Sequence, residues 1–330
     1  MSWSEGATGR LSPRELHIFL SVAEAQNMGK AADALAMSRP VVSRTIASLE
    51  HRVGQKLFDR AARGVRLTAA GEVLRGHAFA VLDTLRQAGL ALAELRDARG
   101  GELRVGGSEP IAAGIMGAAI GVMHRRHPGL RIELHQVTGE EMTVYIRERR
   151  GDLAVSRAND LPIPDDIAHL DLTVERLVPV AGRRHALARR RRVTLEELLE
   201  APWILSSREA DANGPFMRAL RLAGHGPPRR LILTHSLNLR LHLLSEGEHV
   251  TLVPESVLRF GEVAQYLVPL PVGLPGMERT TAVFWLRNRS MSAAAAAFVS
   301  ILKDLVAQVP SLRPAEDHAL AVEREPGAGL

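Results

Sequence analysis

The stretch Lys30 to Arg60, KAADALAMSRPVVSRTIASLEHRVGQKLFDR, decides how the rest of the chain is read. It predicts two short helices joined by a tight turn. Leu35 ends the first helix, and Ala36-Met37 make the turn. Ser38 stands where its hydroxyl can cap the second helix. Pro40 falls in the first turn, where backbone N–H groups lack helical partners. Val42, Ile46, Leu49 and Val53 then recur at spacings of four, three and four, the apolar stripe of an amphipathic helix. Arg39, Ser43 and Arg44 lie off that stripe near the N-terminus, where a helix docked in a DNA groove presents side chains to base edges and phosphates. The competing reading of the same residues is a solvated surface face.

The residues that follow favour the first reading. Beyond Gly54 come Leu57-Phe58, Arg60, Arg63-Gly64 and Val65-Arg66-Leu67, which predict a short two-stranded turn with Gly64 at its tip. Such a wing places Arg63 and Arg66 beside a recognition helix. Seven Lys or Arg face two acids, Glu50 and Asp59, between Arg39 and Arg66, an excess equal to the +5 of the whole chain.

The run A-A-x-x-L-x-x-S-x-x-x-x-S-R-x-I-x-x-L-E-x-x-x-G-x-x-L-F-x-R, from Ala31 to Arg60, resembles the N-terminal domain of LysR-type transcriptional regulators. The resemblance continues through Gly64-Val65-Arg66-Leu67-Thr68-x-x-Gly71 and, more weakly, to about residue 305. It departs at Asn27-Met28, where Ser-Phe is commoner, at Arg39, where Gln is usual, and at Val41, where a small residue is common. Gln favours adenine contacts while Arg favours guanine or phosphate, so base preference does not carry over at Arg39. The resemblance implies a homodimer or a dimer of dimers on double-stranded promoter DNA, controlled by a small-molecule effector. The other class of reading is a solute-binding or enzymatic α/β protein with an incidental N-terminal helical domain.

Composition sets bounds around this. At 330 residues the chain exceeds one average domain, and its 46% hydrophobic and 24% charged residues are those of a globular protein. All but three of the 42 basic residues, Lys30, Lys56 and Lys303, are arginine. That bias can follow coding composition, so the placement of charge says more than its total. Without cysteine there are no disulfides, no thiol catalysis and no Cys-based metal sites. The N-terminus has no long apolar run, and no uninterrupted stretch approaches the roughly 18 apolar residues of a membrane span. A cytoplasmic protein without cofactor is expected.

The expected fold class is α/β, with an N-terminal winged helix-turn-helix, a long linker helix and a two-lobed, periplasmic-binding-protein-like effector domain. Residues 1–10 read as disordered, 11–68 as the winged helix-turn-helix and 69–98 as the linker. In the linker helix Leu74, Ala78, Val81, Leu85, Ala88, Leu92 and Leu95 alternate at spacings of four and three, a heptad seam suited to pairing with a second copy. Packing on its own domain is the alternative. After Arg99-Gly100-Gly101, strands alternate with helices over 101–308, predicting largely parallel sheets. Lobe I is expected at 101–177 and 268–308, lobe II at 178–267, with one helix running from the first strand through Met123. The Pro-, Ala-, Glu- and Gly-rich end, 311–330, reads as a disordered tail.

Two-lobed α/β domains bind small molecules between their lobes, at strand ends and helix N-termini. Gly107-Ser108-Glu109, Ser206-Ser207 and His235-Ser236 with Asn238 fit that description; the alternative reading of Ser108 and Ser236 is as plain helix caps. Glu109 at a helix start competes with an anionic ligand, which favours a hydroxylated, sugar-like effector; Arg157 after the third strand keeps organic acids open. Enzymatic patterns are thin: there is no G-x-S-x-G elbow and no G-x-x-x-x-G-K-[ST] phosphate loop. His124 and His127 share a helix face but are flanked by Arg125 and Arg126, and Arg189–Arg192 reads as a solvated turn.

Overall fold

Capping chemistry starts the first two helices of the N-terminal region. The first, α1 (Pro13–Ala25), opens on a capping box in which Ser12 Oγ accepts from the Glu15 amide and the Glu15 carboxylate accepts from the Ser12 amide. The second, α2 (Met28–Ala34), is capped by Asn27, whose Oδ1 accepts from the amides of Gly29 and Lys30 at 2.8 and 3.2 Å. Asn27 is thus the cap of α2. A computed structural model describes residues 11–61, 64–96, 101–158, 162–309 and 312–314, in two units that divide at Gly100. Residues 1–10, Arg63 and 315–330 lie outside the described residues.

Leu35 closes α2, Ala36 takes the left-handed conformation at φ 51°, and the Met37 amide returns to the Ala32 carbonyl at 2.9 Å. The chain then enters α3 (Arg39–Val53). Contrary to expectation, the Ser38 hydroxyl makes no capping bond. The second helical position is Pro40, which has no N–H, and the amides of Val41 and Val42 donate to the Ser38 carbonyl instead. Leu16, Phe19 and Val22 meet Ala31, Ala32, Val42, Ile46 and Leu49 in one core, closed by Leu57 and Phe58. The Phe19 and Phe58 rings lie 5.3 Å apart.

The wing is β1 (Phe58–Ala61) paired antiparallel with β2 (Gly64–Leu67), so that Asp59 stands opposite Arg66. Gly64 has φ 138°, and a Cβ there would lie 2.1 Å from the Gln26 carbonyl oxygen, which accepts from the Val65 amide at 2.9 Å. Only glycine lets the wing lie this close to the end of α1. Buried Glu50 ties α3 to the wing, accepting from the Leu57 and Phe58 amides and from Lys56 Nζ. Burial pushes its carboxyl up, but these three bonds outweigh it and hold it below the usual carboxylate range.

Thr68 Oγ1 accepts from the Gly71 amide at 3.0 Å and starts α4 (Ala69–Arg96). Its stripe does not form one continuous free seam. Ala78 is fully buried in the core of its own unit, with Leu74 and Leu82 packed against it, because this end of the helix lies on α1. Val81, Leu85, Ala88 and Leu92 are exposed, and the side chain of Leu95 lies outside the described residues.

The second unit begins with β3 (Gly101–Gly107), α5 (Glu109–Ile111) and α6 (Gly117–Arg126). The single helix expected there is broken by a π-type turn over Ala112–Met116, where Gly114 leaves helical geometry. A Cβ at Gly114 would stand 2.9 Å from Ser256 Oγ, so the bend accommodates a neighbouring segment. Next come β4 (Leu130–Gln136), α7 (Gly139–Arg147), β5 (Leu153–Arg157) and the long β6 (Ile167–Gly182). They are followed by α8 (Leu195–Glu200), β7 (Trp203–Leu205), α9 (Pro215–Leu222), β8 (Leu231–Leu233) and α10 (Leu237–Glu246). The chain continues through β9 (Val250–Pro254), α11 (Glu255–Phe260), β10 (Leu267–Pro269), β11 (Glu278–Leu286), α12 (Ala293–Ala307) and β12 (Arg313–Pro314).

The strand order is β4-β3-β5-β11-β6-β9-β7-β8, with β10 and β12 also on β6. The β4-β3-β5 and β9-β7-β8 ends are parallel, while every pairing of β6 and β11 is antiparallel. Sixteen residues long, β6 therefore passes from one lobe into the other, and the first lobe boundary falls inside a strand. The return is also later than expected. Leu270 and Met277 are buried in the lobe II core, so the chain comes back to lobe I with β11 at Glu278, not at residue 268. Where the two strands run together, buried Glu175 of β6 accepts from Thr281 Oγ1 of β11 at 2.8 Å and from the Ser256 amide at 2.9 Å. The expected disordered tail starts too early: Leu312 is buried and Arg313–Pro314 pair with β6.

Candidate functional site

On the N-terminal unit, burying Val42, Ile46 and Leu49 turns the opposite side of α3 outward. Ser38, Arg39, Pro40, Ser43 and Arg44 are all exposed, as is Arg66 on the wing. Arg44 Nε donates at 3.3 Å to the Pro40 carbonyl of its own helix, which holds its side chain along α3. Arg39 bonds to none of the described residues. By contrast Arg52 is drawn inward by Glu15, and Lys56, though exposed, is paired with Glu50, so those two cations have partners within the fold.

In the second unit a cleft of about 290 Å³ opens between the lobes. Lobe I supplies Ser108, Glu109, Thr138, Ser156 and Arg157; lobe II supplies Ser206, Ser207, Arg208, Glu209, His235 and Arg240. Of the expected residues, Ser108, Glu109, Arg157, Ser206, Ser207 and His235 come together here. Gly107, Ser236 and Asn238 do not line it. Gly107 is a packing glycine, because a Cβ would meet Met116 at 2.6 Å. Ser236 is a helix cap, accepting from the Leu239 amide at 3.3 Å. Asn238 is exposed to solvent. Glu109 does not serve its own three-residue helix. Its Oε2 accepts from the Leu237 amide at 2.5 Å, across the cleft at the start of α10.

The floor of the cleft is a buried ion pair that the sequence reading missed. Arg240 Nη2 donates to Glu209 Oε2 and to the Thr234 carbonyl, each at 3.0 Å. Nη1 donates to Thr251 Oγ1 at 3.1 Å. Glu209 also accepts from the Ser206 amide at 2.7 Å, and Ser206 Oγ accepts from the Glu209 amide. Burial pushes the Glu209 carboxyl up; the charges of Arg240 and Arg157 and the bonds to Ser206 outweigh this and bring it below the usual range. Both partners had a signal. Ser206-x-x-Glu209 is a capping-box spacing, and Arg240 sits on the buried stripe of α10 between Leu237 and Leu244, where an unpaired charge is untenable. Ser207 Oγ lies 3.4 Å from His235 Nε2, bringing two loops of lobe II together at the cleft. Among the described residues no cluster of His, Asp and Glu is arranged to hold a metal ion, and no helix is long and apolar enough to cross a membrane.

A helix-turn-helix unit followed by a two-lobed unit with an inter-lobe cleft matches one family along both parts. Residues 13–72 match the bacterial regulatory helix-turn-helix protein, lysR family, and residues 96–307 match the LysR substrate binding domain. The HTH-type transcriptional regulator GbpR of Azospirillum brasilense is 27% identical over 295 residues, covering 89% of this chain and 86% of its own. The transcriptional dual regulator GltC of Bacillus subtilis is 27% identical over 288 residues, 86% of this chain and 93% of its own. The crystal structure of CbnR, a LysR family transcriptional regulator, shares the fold with a TM-score of 0.63 at 21% identity, over 89% of this chain and 99% of that one. These relatives are regulators rather than enzymes, which sets aside the solute-binding or enzymatic reading. The chain belongs to the LysR family of DNA-binding transcriptional regulators and carries the family's substrate-binding domain.

Proposed function

We propose that α3 reads promoter DNA through Arg39, Ser43 and Arg44, with Ser38 and Pro40 at the start of the helix and Arg63 and Arg66 holding phosphates from the wing. The observation that carries this is the exposed basic end of α3, free of the internal pairs that engage Arg52 and Lys56. A cytoplasmic homodimer, joined through the exposed part of the α4 stripe, presents two such helices to a partly palindromic site. A small molecule in the inter-lobe cleft, contacted by Ser108, Arg157, Ser206, Ser207 and His235, binds two arrangements of the oligomer unequally and so shifts its occupancy of DNA.

Gel shifts on the neighbouring promoter region and on random DNA test the reading. Arg66→Ala weakens both DNAs alike and reduces the salt dependence by about one phosphate contact. Arg39→Ala loses about 1–3 kcal/mol on the specific site and relaxes preference there. Equal losses on specific and random DNA for Arg39→Ala remove its reading role.

A further inference from the structure

The N-terminus of α10 faces the effector cleft, and it is already occupied. Ten residues long, this helix concentrates partial positive charge and unpaired N–H groups at its start, the kind of end that attracts carboxylates. Two of those groups are satisfied by the protein itself: the Leu237 amide by Glu109 and the Leu239 amide by Ser236. Glu109 stands at the start of a three-residue helix, too short to hold its carboxylate, and reaches across from lobe I to the longer helix. Its Oε1 bonds to none of the described residues. Elsewhere in the cleft, Arg240 is engaged by Glu209, whereas the Arg157 guanidinium donates no hydrogen bond to a described residue.

We propose that Glu109 is the specificity-determining residue of the cleft, a tethered carboxylate that fills the anion position of α10 and selects a hydroxyl-rich effector with no carboxylate at that end. The inference rests on the cleft being the effector site. A ligand carboxylate approaching α10 meets the Glu109 charge within hydrogen-bond range, and like charges at that distance oppose each other's ionisation. A ligand hydroxyl does the reverse: it donates to Glu109 Oε1 and accepts from Arg157 or from the serines of either lobe. The same carboxylate joins the lobes, so a ligand that draws on Glu109 acts on the contact that holds them.

The test compares full-length wild type with Glu109→Ala, using sodium acetate as the probe at constant ionic strength. Acetate is expected to raise the Tm of Glu109→Ala by occupying the vacated amide, and to leave wild type unshifted beyond a chloride control. Hydrogen exchange at the Leu237 amide is expected to be about tenfold faster in Glu109→Ala and to slow again with acetate. Equal acetate shifts in the two proteins, or unchanged Leu237 exchange, overturn the proposal. If Glu109→Ala does not fold, Glu109→Ser leaves α10 equally bare and carries the same comparison. The cleft is judged separately, by whether any compound binds wild type in an Arg157-dependent way. A carboxylate that binds wild type at α10 overturns the role of Glu109 and leaves the cleft intact; failure of every compound removes the cleft as the effector site without altering the acetate result.

Discussion

Replacing Arg240 by methionine keeps most of the side-chain volume and removes the charge from the floor of the cleft. Arg240 is 4% exposed and Glu209 7%, so neither exchanges its partner for water. The substitution deletes the bonds to Glu209, Thr234 and Thr251 together and leaves a buried carboxylate supported only by Ser206 and the charge of Arg157. Removing one partner of such a pair costs about 3–5 kcal/mol. The pH dependence has a definite sign. In wild type the Glu209 carboxyl lies below its usual range, so its stabilisation is present at neutral pH and is lost only as pH falls through that depressed value. In Arg240→Met burial dominates, the carboxyl rises above its unfolded value, and folding takes up a proton. The deficit against wild type therefore shrinks on going from pH 7 to pH 5, by at most about 1.4 kcal/mol per pH unit. Urea unfolding of the full-length protein, followed through Trp203 and Trp285 of this unit, measures both quantities. Adding Glu209→Gln, which still accepts from Ser206, is expected to recover about 2 kcal/mol. A loss below 1 kcal/mol at pH 7, or one that grows toward pH 5, refutes the argument.

Three further outcomes follow from the N-terminal unit. Ala36→Gly relieves a left-handed alanine in the helix-turn-helix turn and should stabilise the unit by about 0.5–1 kcal/mol in thermal unfolding, with α3 unmoved. Glu50→Gln weakens two amide bonds and the Lys56 contact, at about 1–3 kcal/mol near pH 7. Because the folded Glu50 carboxyl is depressed, the difference from wild type should fade as pH drops below the carboxylate range; a constant difference down to pH 3 argues against the assignment. Leu85→Glu, on the exposed part of α4, is expected to shift sedimentation toward monomer while the melting of the helix-turn-helix unit stays within about 0.5 kcal/mol of wild type.

Local pattern was enough for the N-terminal unit because its chemistry is local. The stripe Val42, Ile46, Leu49 and the turn at Gly64 are each legible within a few residues of sequence, and the structure uses them where the spacing put them, although what they meet, Phe19 and the Gln26 carbonyl, is distant in the chain. What escaped was long-range. Thr281 and Ser256 meet Glu175 across more than eighty residues, so nothing near Glu175 marks it as buried. The ten residues of β6 from Ile167 to Arg176 include Asp171, Glu175 and Arg176 and carry no apolar run, yet they become a shared inner strand once β11 returns beside them. The late return has the same origin: Leu270 and Met277 are apolar in either lobe, and only tertiary packing assigns them to lobe II. Glu109 was recognised as a cleft residue, but its partner is Leu237, 128 positions away, and no reading of its own helix start leads there.

The division of α4 bears on how the two copies can be held. A heptad stripe from Leu74 to Leu95 suggests a seam of three repeats, but Leu74 and Ala78 are committed to the core of their own unit. The described positions left to a partner run from Val81 to Leu92, about 17 Å of helix at 1.5 Å per residue. Three turns of helix pairing, with an alanine at one of four contacts, is shorter than the three to four heptads that mark a self-sufficient coiled coil. Fully burying Val81, Leu85 and Leu92 contributes about 1.5–3 kcal/mol each, from which the entropy of association must be subtracted. That balance leaves little margin, so a stable homodimer must draw contacts from beyond this stripe. If the stripe pairs as proposed, it would set the register of the pair and leave most of the strength of the assembly to contacts elsewhere in the protomer. On this reasoning a charge at Leu92 alone weakens pairing by less than the loss of the whole assembly, and Leu85→Glu with Leu92→Glu is needed to produce monomer at micromolar concentration. If Leu92→Glu by itself gives monomer throughout, the stripe is the principal interface and the estimate of its weakness is wrong.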